Sequence, residues 1–82
     1  EQAYPNPFNP STTISYSIMN YTDVKLSIYD IRGRLVDNLV DMNQDAGYYS
    51  VTWNANGLSS GLYFIQFTAG NMIENQKIMY IK

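Results

Sequence analysis

The sequence has neither cysteine nor histidine among its 82 residues, and its five glycines are scattered. Without cysteine, a disulfide and a thiolate metal site are excluded. Without histidine, the side chain that most often transfers protons near neutral pH is missing. The glycines form neither a GxGxxG nor a GxxxxGK[ST] phosphate-binding loop. Because no other catalytic constellation stands out, we expect a protein that is not an enzyme and has no cofactor.

Charge is also sparse. Five basic residues against seven acidic ones give a formal net charge of −2. A nucleic-acid-binding domain presents a basic patch or stripe, and this sequence has none, so we expect no nucleic-acid partner. No apolar run approaches the roughly 20 residues that span a bilayer, so we expect no membrane insertion. The start lacks the basic and apolar regions of a secretion signal, which suggests a piece of a longer protein.

Aromatic side chains are what the chain has in quantity, with eight Tyr, three Phe and one Trp. A domain this short buries only about 60% of the surface that its unfolded chain exposes. Each aromatic ring adds roughly 150–250 Å² of buried surface. We therefore assign residues 1–82 to a single domain with an aromatic core. Residues 1–10, which contain three prolines, form a lead-in, and residues 11–82 form the folded body.

Polar and apolar residues alternate in four segments, "TISYSI", "VKLSIYD", "YYSVTW" and "GLYFIQFT". Alternation with period two indicates strands with one buried face. The predicted inward residues are Ile14, Tyr16, Ile18, Val24, Leu26, Ile28, Tyr49, Val51, Trp53, Tyr63, Ile65 and Phe67.

Two further segments complete the predicted fold. "RLVDNLV" also fits a helical face, but its short length and its position between strands favour a strand. "NQKIMYIK" is predicted to be the last strand, with either Ile78 and Tyr80 or Met79 and Ile81 facing inward. Turns or loops are predicted around Gly33, at residues 69–71, at residues 54–61 and at residues 41–47. The pattern predicts an all-β, immunoglobulin-like antiparallel sandwich of about seven strands.

One segment has the spacing of a calcium loop. "DMNQDAG" places Asp41, Asn43 and Asp45 at the first, third and fifth positions of an EF-hand loop. The match is incomplete, because Ala46 stands where the turn glycine belongs and Thr52 stands where a bidentate carboxylate belongs. The alternative is a polar hairpin loop, since Asp and Asn favour turns on their own account.

The aromatic residues also permit two interpretations. Exposed rings would form a platform for stacking sugars, whereas inward rings build the core of a small domain that lacks disulfides. Core packing is the interpretation we favour. The residues concerned are Tyr16, Tyr29, Tyr48, Tyr49, Trp53 and Tyr63.

Several motifs occur in a fixed order: "YPNPFNPSTTISYSI", "VKLSIYDIRGRLV", "GYYSVTW", "SSGLYFIQF" and "KIMYIK". This order resembles the type A C-terminal sorting domain of the type IX secretion system of Bacteroidetes and related phyla. The resemblance covers residues 4–82. The same opening motif is similar to the immunoglobulin-like domain of flagellar hook-capping proteins. A lysine-bearing strand at the end of the sequence favours the sorting domain.

The resemblance implies a non-catalytic secretion signal that directs an N-terminally linked cargo across the outer membrane. The implied partners are the outer-membrane type IX translocon and a sortase that cleaves upstream of the domain. The implied route leads through the periplasm to the cell surface or the medium, and we expect a monomer. The alternative is an accessory structural or carbohydrate-binding module of a secreted enzyme or adhesin. The residues that match the sorting motifs are Tyr4, Pro5, Asn6, Pro7, Phe8, Gly61, Tyr63, Lys77 and Lys82.

The proline motif has two compatible roles. Proline fixes φ near −65° and donates no backbone hydrogen bond, so a proline-rich lead-in protects a sheet edge from pairing with another chain. The same stiffness reduces the entropy that a receptor must remove on binding. The sequence alone leaves both roles open.

Overall fold

A computed structural model describes residues 2–82 of the protein. Within this range all regular structure is β, and no segment forms a helix that could span a membrane. The all-β prediction is confirmed, with six strands in place of about seven. The strands are β1 Ser11–Ile18, β2 Thr22–Asp30, β3 Leu35–Gln44, β4 Gly47–Asn54, β5 Gly61–Ala69 and β6 Met72–Tyr80.

The strands form two antiparallel sheets that pack as a sandwich. β1 and β4 form a two-stranded sheet, and the other sheet has the order β3-β2-β5-β6. The predicted antiparallel sandwich is therefore confirmed. In this arrangement β3 and β6 are the edges of the larger sheet, which matters for the residues discussed below.

The core lies between the sheets and contains the side chains that alternation predicted to face inward. Of the twelve, ten are buried, and Tyr49 and Val51 are partly buried against the core. In β6 the choice of face is resolved: Ile78 and Tyr80 are buried, whereas Ile81 is 50% exposed. The lead-in residues Ala3 and Phe8, Val40 of β3 and Ala55 of the β4–β5 loop complete this core.

Most of the aromatic side chains pack in the core, as the favoured interpretation required. Tyr16, Trp53 and Tyr63 are buried, and Tyr16 stacks on Tyr49 with ring centroids 5.3 Å apart. Tyr48 departs from this pattern, because its side chain is 92% exposed. It lies on the outer face of β4, opposite Ser17.

The predicted loop at residues 41–47 is wrong. β3 continues through Gln44, with Asp41 opposite Lys25 and Asn43 opposite Asp23. Asp and Asn favour turns, but an exposed edge strand accommodates polar side chains, which also discourage pairing with another chain. Only residues 45 and 46 connect β3 to β4.

Candidate functional site

The sorting motifs lie together at one end of the sandwich, which we call the motif end. It comprises residues 4–10 of the lead-in, the β2–β3 turn at residues 31–34, the β4–β5 loop at residues 55–60, and residues 77–82. Antiparallel pairing places Gly61 opposite Tyr80 and Tyr63 opposite Ile78. Phe8 forms a bridge to Tyr80 from the other side of β6. Segments more than fifty residues apart in sequence therefore form one surface.

The lead-in connects the open edges of the two sheets. The Tyr4 and Thr13 backbones exchange hydrogen bonds of 3.0 and 2.9 Å, which joins the lead-in to β1. The Phe8 backbone N–H donates to the Met79 carbonyl at 3.0 Å, and the Ile81 N–H donates to the Phe8 carbonyl at 3.0 Å. These bonds use backbone groups on the outer edge of β6 that would otherwise be open to another strand.

Asn6 extends this protection of the β6 edge with its side chain. Its Nδ2 donates to the Lys77 carbonyl at 3.2 Å, and its Oδ1 accepts from the Met79 N–H at 3.0 Å. A side-chain amide offers one donor and one acceptor group, as a peptide unit does. Asn6 therefore takes the place of a backbone partner between the two prolines of the motif, which donate no backbone hydrogen bond.

Phe8 anchors the lead-in to the core. Its side chain is only 2% exposed. Its ring stacks on Tyr80 at 5.3 Å between centroids and lies at 5.7 Å from Trp53. Trp53 in turn makes an edge contact with Tyr63 at 5.6 Å. One aromatic cluster thus contains a residue from the first motif, one from the second and one from the last strand.

Gly61 and Tyr63 shape the start of β5. Gly61 has a φ of +147°, which L-residues with a side chain rarely adopt. The buried Tyr63 hydroxyl donates to the Ser59 carbonyl at 2.7 Å. Burial raises the pKa of Tyr63 above its ordinary value, with smaller contributions from Asp30 and Tyr80. Both residues therefore support the fold at the motif end.

Other motif residues face solvent. The Tyr4 side chain is 79% exposed although its backbone is paired. Pro5, Pro7, Lys77 and Lys82 are also exposed. The chain end is held in place because the Lys82 N–H donates to Ser60 Oγ at 3.1 Å. The surface can thus offer an aromatic ring, two proline rings and two ammonium groups to a partner.

Two arginines that the sorting-motif residues did not include also lie at the motif end. The Asp30 carboxylate accepts from the backbone N–H groups of Arg32 at 2.9 Å and Arg34 at 3.0 Å, and from Arg34 Nε at 3.2 Å. These bonds, that to the Arg34 backbone foremost, lower the pKa of Asp30. The "DIRGR" turn was the available signal, but only the sheet register brings it near residues 77–82.

The incomplete calcium motif does not form a loop in the structure. Asp41 and Asn43 belong to β3, where alternate residues lie about 7 Å apart on one face, and Asp45 follows in the turn. An EF-hand loop instead wraps its oxygen ligands around the ion. Among residues 2–82, no group of three or more acidic side chains is arranged to hold a metal ion.

In a comparison with known protein families, the family model described as the secretion system C-terminal sorting domain matches residues 2–82. Neither a curated protein nor a solved structure matches the chain. Because the match covers nearly every residue, the chain belongs to the family of secretion system C-terminal sorting domains, which carry the type IX secretion signal.

Proposed function

We propose that the type IX export machinery recognises this domain through its motif end. Family membership implies a cargo on the N-terminal side and transit to the cell surface or the extracellular space. The observation that carries the proposal is the convergence of three separate motifs on one surface. The sheet register aligns Gly61 with Tyr80, and the lead-in pairs with the same β6 strand.

The motif residues divide into two roles under this proposal. Phe8, Asn6 and Gly61 build the end of the sandwich, since they are buried, hydrogen-bonded or conformationally special. Tyr4 and Lys82 are exposed, so they are available for contact with a partner. Under this proposal the proline motif has both of the roles considered above. Asn6 and Phe8 protect the β6 edge, and Tyr4 contacts the receptor.

The finer steps are proposed on the resemblance. The cargo crosses the periplasm, the outer-membrane translocon binds the folded domain, and a sortase cleaves upstream of it. The cargo is then anchored at the surface or released. The domain itself acts by binding and performs no catalysis, and it works as a monomer.

A fusion experiment tests the proposal. Residues 1–82 are joined to the C-terminus of a periplasmic reporter in a cell with type IX secretion. We expect surface delivery of the fusion, and loss of delivery when residues 77–82 or the whole domain are removed. Delivery that continues at the same level without the domain would contradict the proposal.

The alternative function, a structural or carbohydrate-binding accessory module, makes a different prediction. A carbohydrate-binding module would bind glycans on an array, and calorimetry with and without a chelator would show whether that binding needs calcium. The sorting proposal predicts no glycan binding.

A further inference from the structure

Charge is distributed unevenly along the sandwich. Four of the five basic residues, Arg32, Arg34, Lys77 and Lys82, lie at the motif end, and only Lys25 lies in the other half. The acidic residues of that other half are Asp23, Asp41, Asp45 and Glu74. A chain with a net charge of −2 therefore presents a basic surface at one end.

Among residues 2–82, two acidic residues, Asp30 and Asp37, lie near the motif end, and both accept hydrogen bonds. Asp30 binds the turn and Arg34, as described above, and Asp37 accepts from Trp53 Nε1 at 3.1 Å. In contrast, the Arg32 side chain makes no hydrogen bond or ion pair with any residue from 2 to 82 for which such contacts are described. The Arg34 side chain remains 71% exposed despite its ion pair. Positive charge thus remains available to a partner.

Two of the basic residues line a groove at the motif end. Arg32 and Arg34 line this groove of about 550 Å³ together with Asp30, Leu58, Ser60 and Leu62. Ser60 also holds the Lys82 backbone. The lining of the groove therefore combines apolar side chains with two arginines, and the chain end is attached to it through Ser60.

Lys77 extends the same surface over the outer face of the larger sheet. One row of paired residues crosses this sheet, from Lys77 in β6 through Phe64 in β5 and Tyr29 in β2 to Leu35 in β3. Three strand spacings give this row a width of about 14 Å.

Apolar side chains are exposed among the charges. Ile31 is 70% exposed, Leu35 58% and Ile81 50%. Arginine is enriched in protein interfaces, whose buried centre is more apolar than the rest of the surface and whose charged rims steer association.

We propose that the motif end binds an acidic and partly apolar protein surface of the export machinery, with Arg32 and Arg34 contributing alongside Lys77 and Lys82. This inference rests on the proposed sorting function. It adds the β2–β3 turn to the recognition surface and states the charge of the partner. The Arg guanidinium groups match carboxylates because their paired N–H donors bind both oxygens at once.

Charge balance favours a protein partner over an anionic membrane. Membrane attachment by charge alone requires a cluster of about four to eight basic residues, each contributing only about 1 kcal/mol. Here the four basic residues only reach the lower limit of that range, Asp30 and Asp37 offset part of their charge, and the remainder of the chain is acidic.

Charge-neutralising variants of the reporter fusion test this inference. The variants are Arg32→Gln with Arg34→Gln, Lys77→Gln with Lys82→Gln, and all four together. Lys25→Gln is the control, because it removes one positive charge from the other half of the domain. Thermal melting of each purified variant shows whether the fold is retained. If the quadruple variant melts early, Arg32→Gln with Lys82→Gln replaces it, because it leaves the Arg34–Asp30 ion pair intact.

We expect each double variant to reduce surface delivery and the quadruple variant to reduce it about tenfold, the lower range of electrostatic effects on association rates. Lys25→Gln should leave delivery unchanged. Binding of the purified domain to the purified outer-membrane translocon should weaken with added salt, and the quadruple variant should lose that salt dependence.

Three results would overturn the inference. The first is full delivery by the quadruple variant, although removal of the whole domain abolishes delivery. That result would refute the charge inference but not the proposed sorting function. The second is a loss of delivery with Lys25→Gln as large as that with the double variants, which would indicate an effect of net charge alone. The third is binding to vesicles containing 30% phosphatidylglycerol with the same dependence on the four residues, together with no binding to the translocon.

Discussion

The Asn6 side chain offers a sharp test of how the lead-in is attached. In Asn6→Ala the hydrogen bonds to the Lys77 carbonyl and the Met79 N–H are both lost. A typical intramolecular hydrogen bond contributes about 0.5–1.5 kcal/mol. Both bonds are solvent-exposed, so water replaces the missing partners and the lower half of that range applies. We therefore expect the free energy of unfolding to fall by about 1–2 kcal/mol.

Thermal melting of the isolated domain measures this change. For a domain of this size, about 1 kcal/mol shifts the melting temperature by about 4–8 °C, so we expect a decrease of about 5–15 °C. Asn9→Ala is the matched control, because Asn9 is also an exposed asparagine that precedes a proline. No side-chain hydrogen bond of Asn9 is described within residues 2–82. Equal melting temperatures for Asn6→Ala, Asn9→Ala and the unaltered domain would refute the role assigned to Asn6.

Four further substitutions follow from the structure. Phe8→Ala removes a buried ring and should lower the free energy of unfolding by about 3–5 kcal/mol, as measured by urea unfolding. Tyr4→Ala removes an exposed ring and should change that free energy by less than about 0.5 kcal/mol. It should nevertheless reduce surface delivery of a fusion in the reporter assay. Gly61→Ala forces a side chain into a φ of +147° and should cost about 1–3 kcal/mol; an unchanged urea midpoint would contradict the strain. The pKa of Asp30 is lower in the folded than in the unfolded chain, so its stabilising contribution is present above about pH 4 and is lost as the pH falls through the folded pKa. Unfolding at about pH 5 and pH 2.5 should therefore show a smaller pH effect in Asp30→Asn than in the unaltered domain; equal effects would count against this explanation.

Alternation of residue type predicted most of the core because it depends only on the geometry of a strand. Ile14, Leu26 and Ile65 illustrate this, since each is buried where period two places it. The prediction failed at Asp41 and Asn43, where local turn preference outweighed the pattern. These residues are tolerated in β3 because it is an edge strand, and the position of a strand in its sheet depends on contacts distant in sequence.

The site was predicted in parts but not as a surface. The resemblance supplied Tyr4 and Lys82 as separate motifs, and nothing in the sequence linked them to Arg32. Their placement at the same end of the sandwich follows from the pairing of β2 with β5, of β5 with β6, and of the lead-in with β6. The Asn6 side chain was likewise missed as an edge partner, because its hydrogen bonds reach residues more than seventy positions away.

The most direct test of the central claim measures export with and without the machinery. A periplasmic reporter carrying residues 1–82 is expressed in a type IX-competent strain and in the same strain without its outer-membrane translocon, and reporter on intact cells and in the medium is quantified. We predict delivery of the reporter in the first strain, retention in the second, and retention in both when the domain is omitted. Equal delivery in the two strains, or none in the competent strain from a fusion whose domain is folded, would contradict the assignment of this domain as a sorting signal.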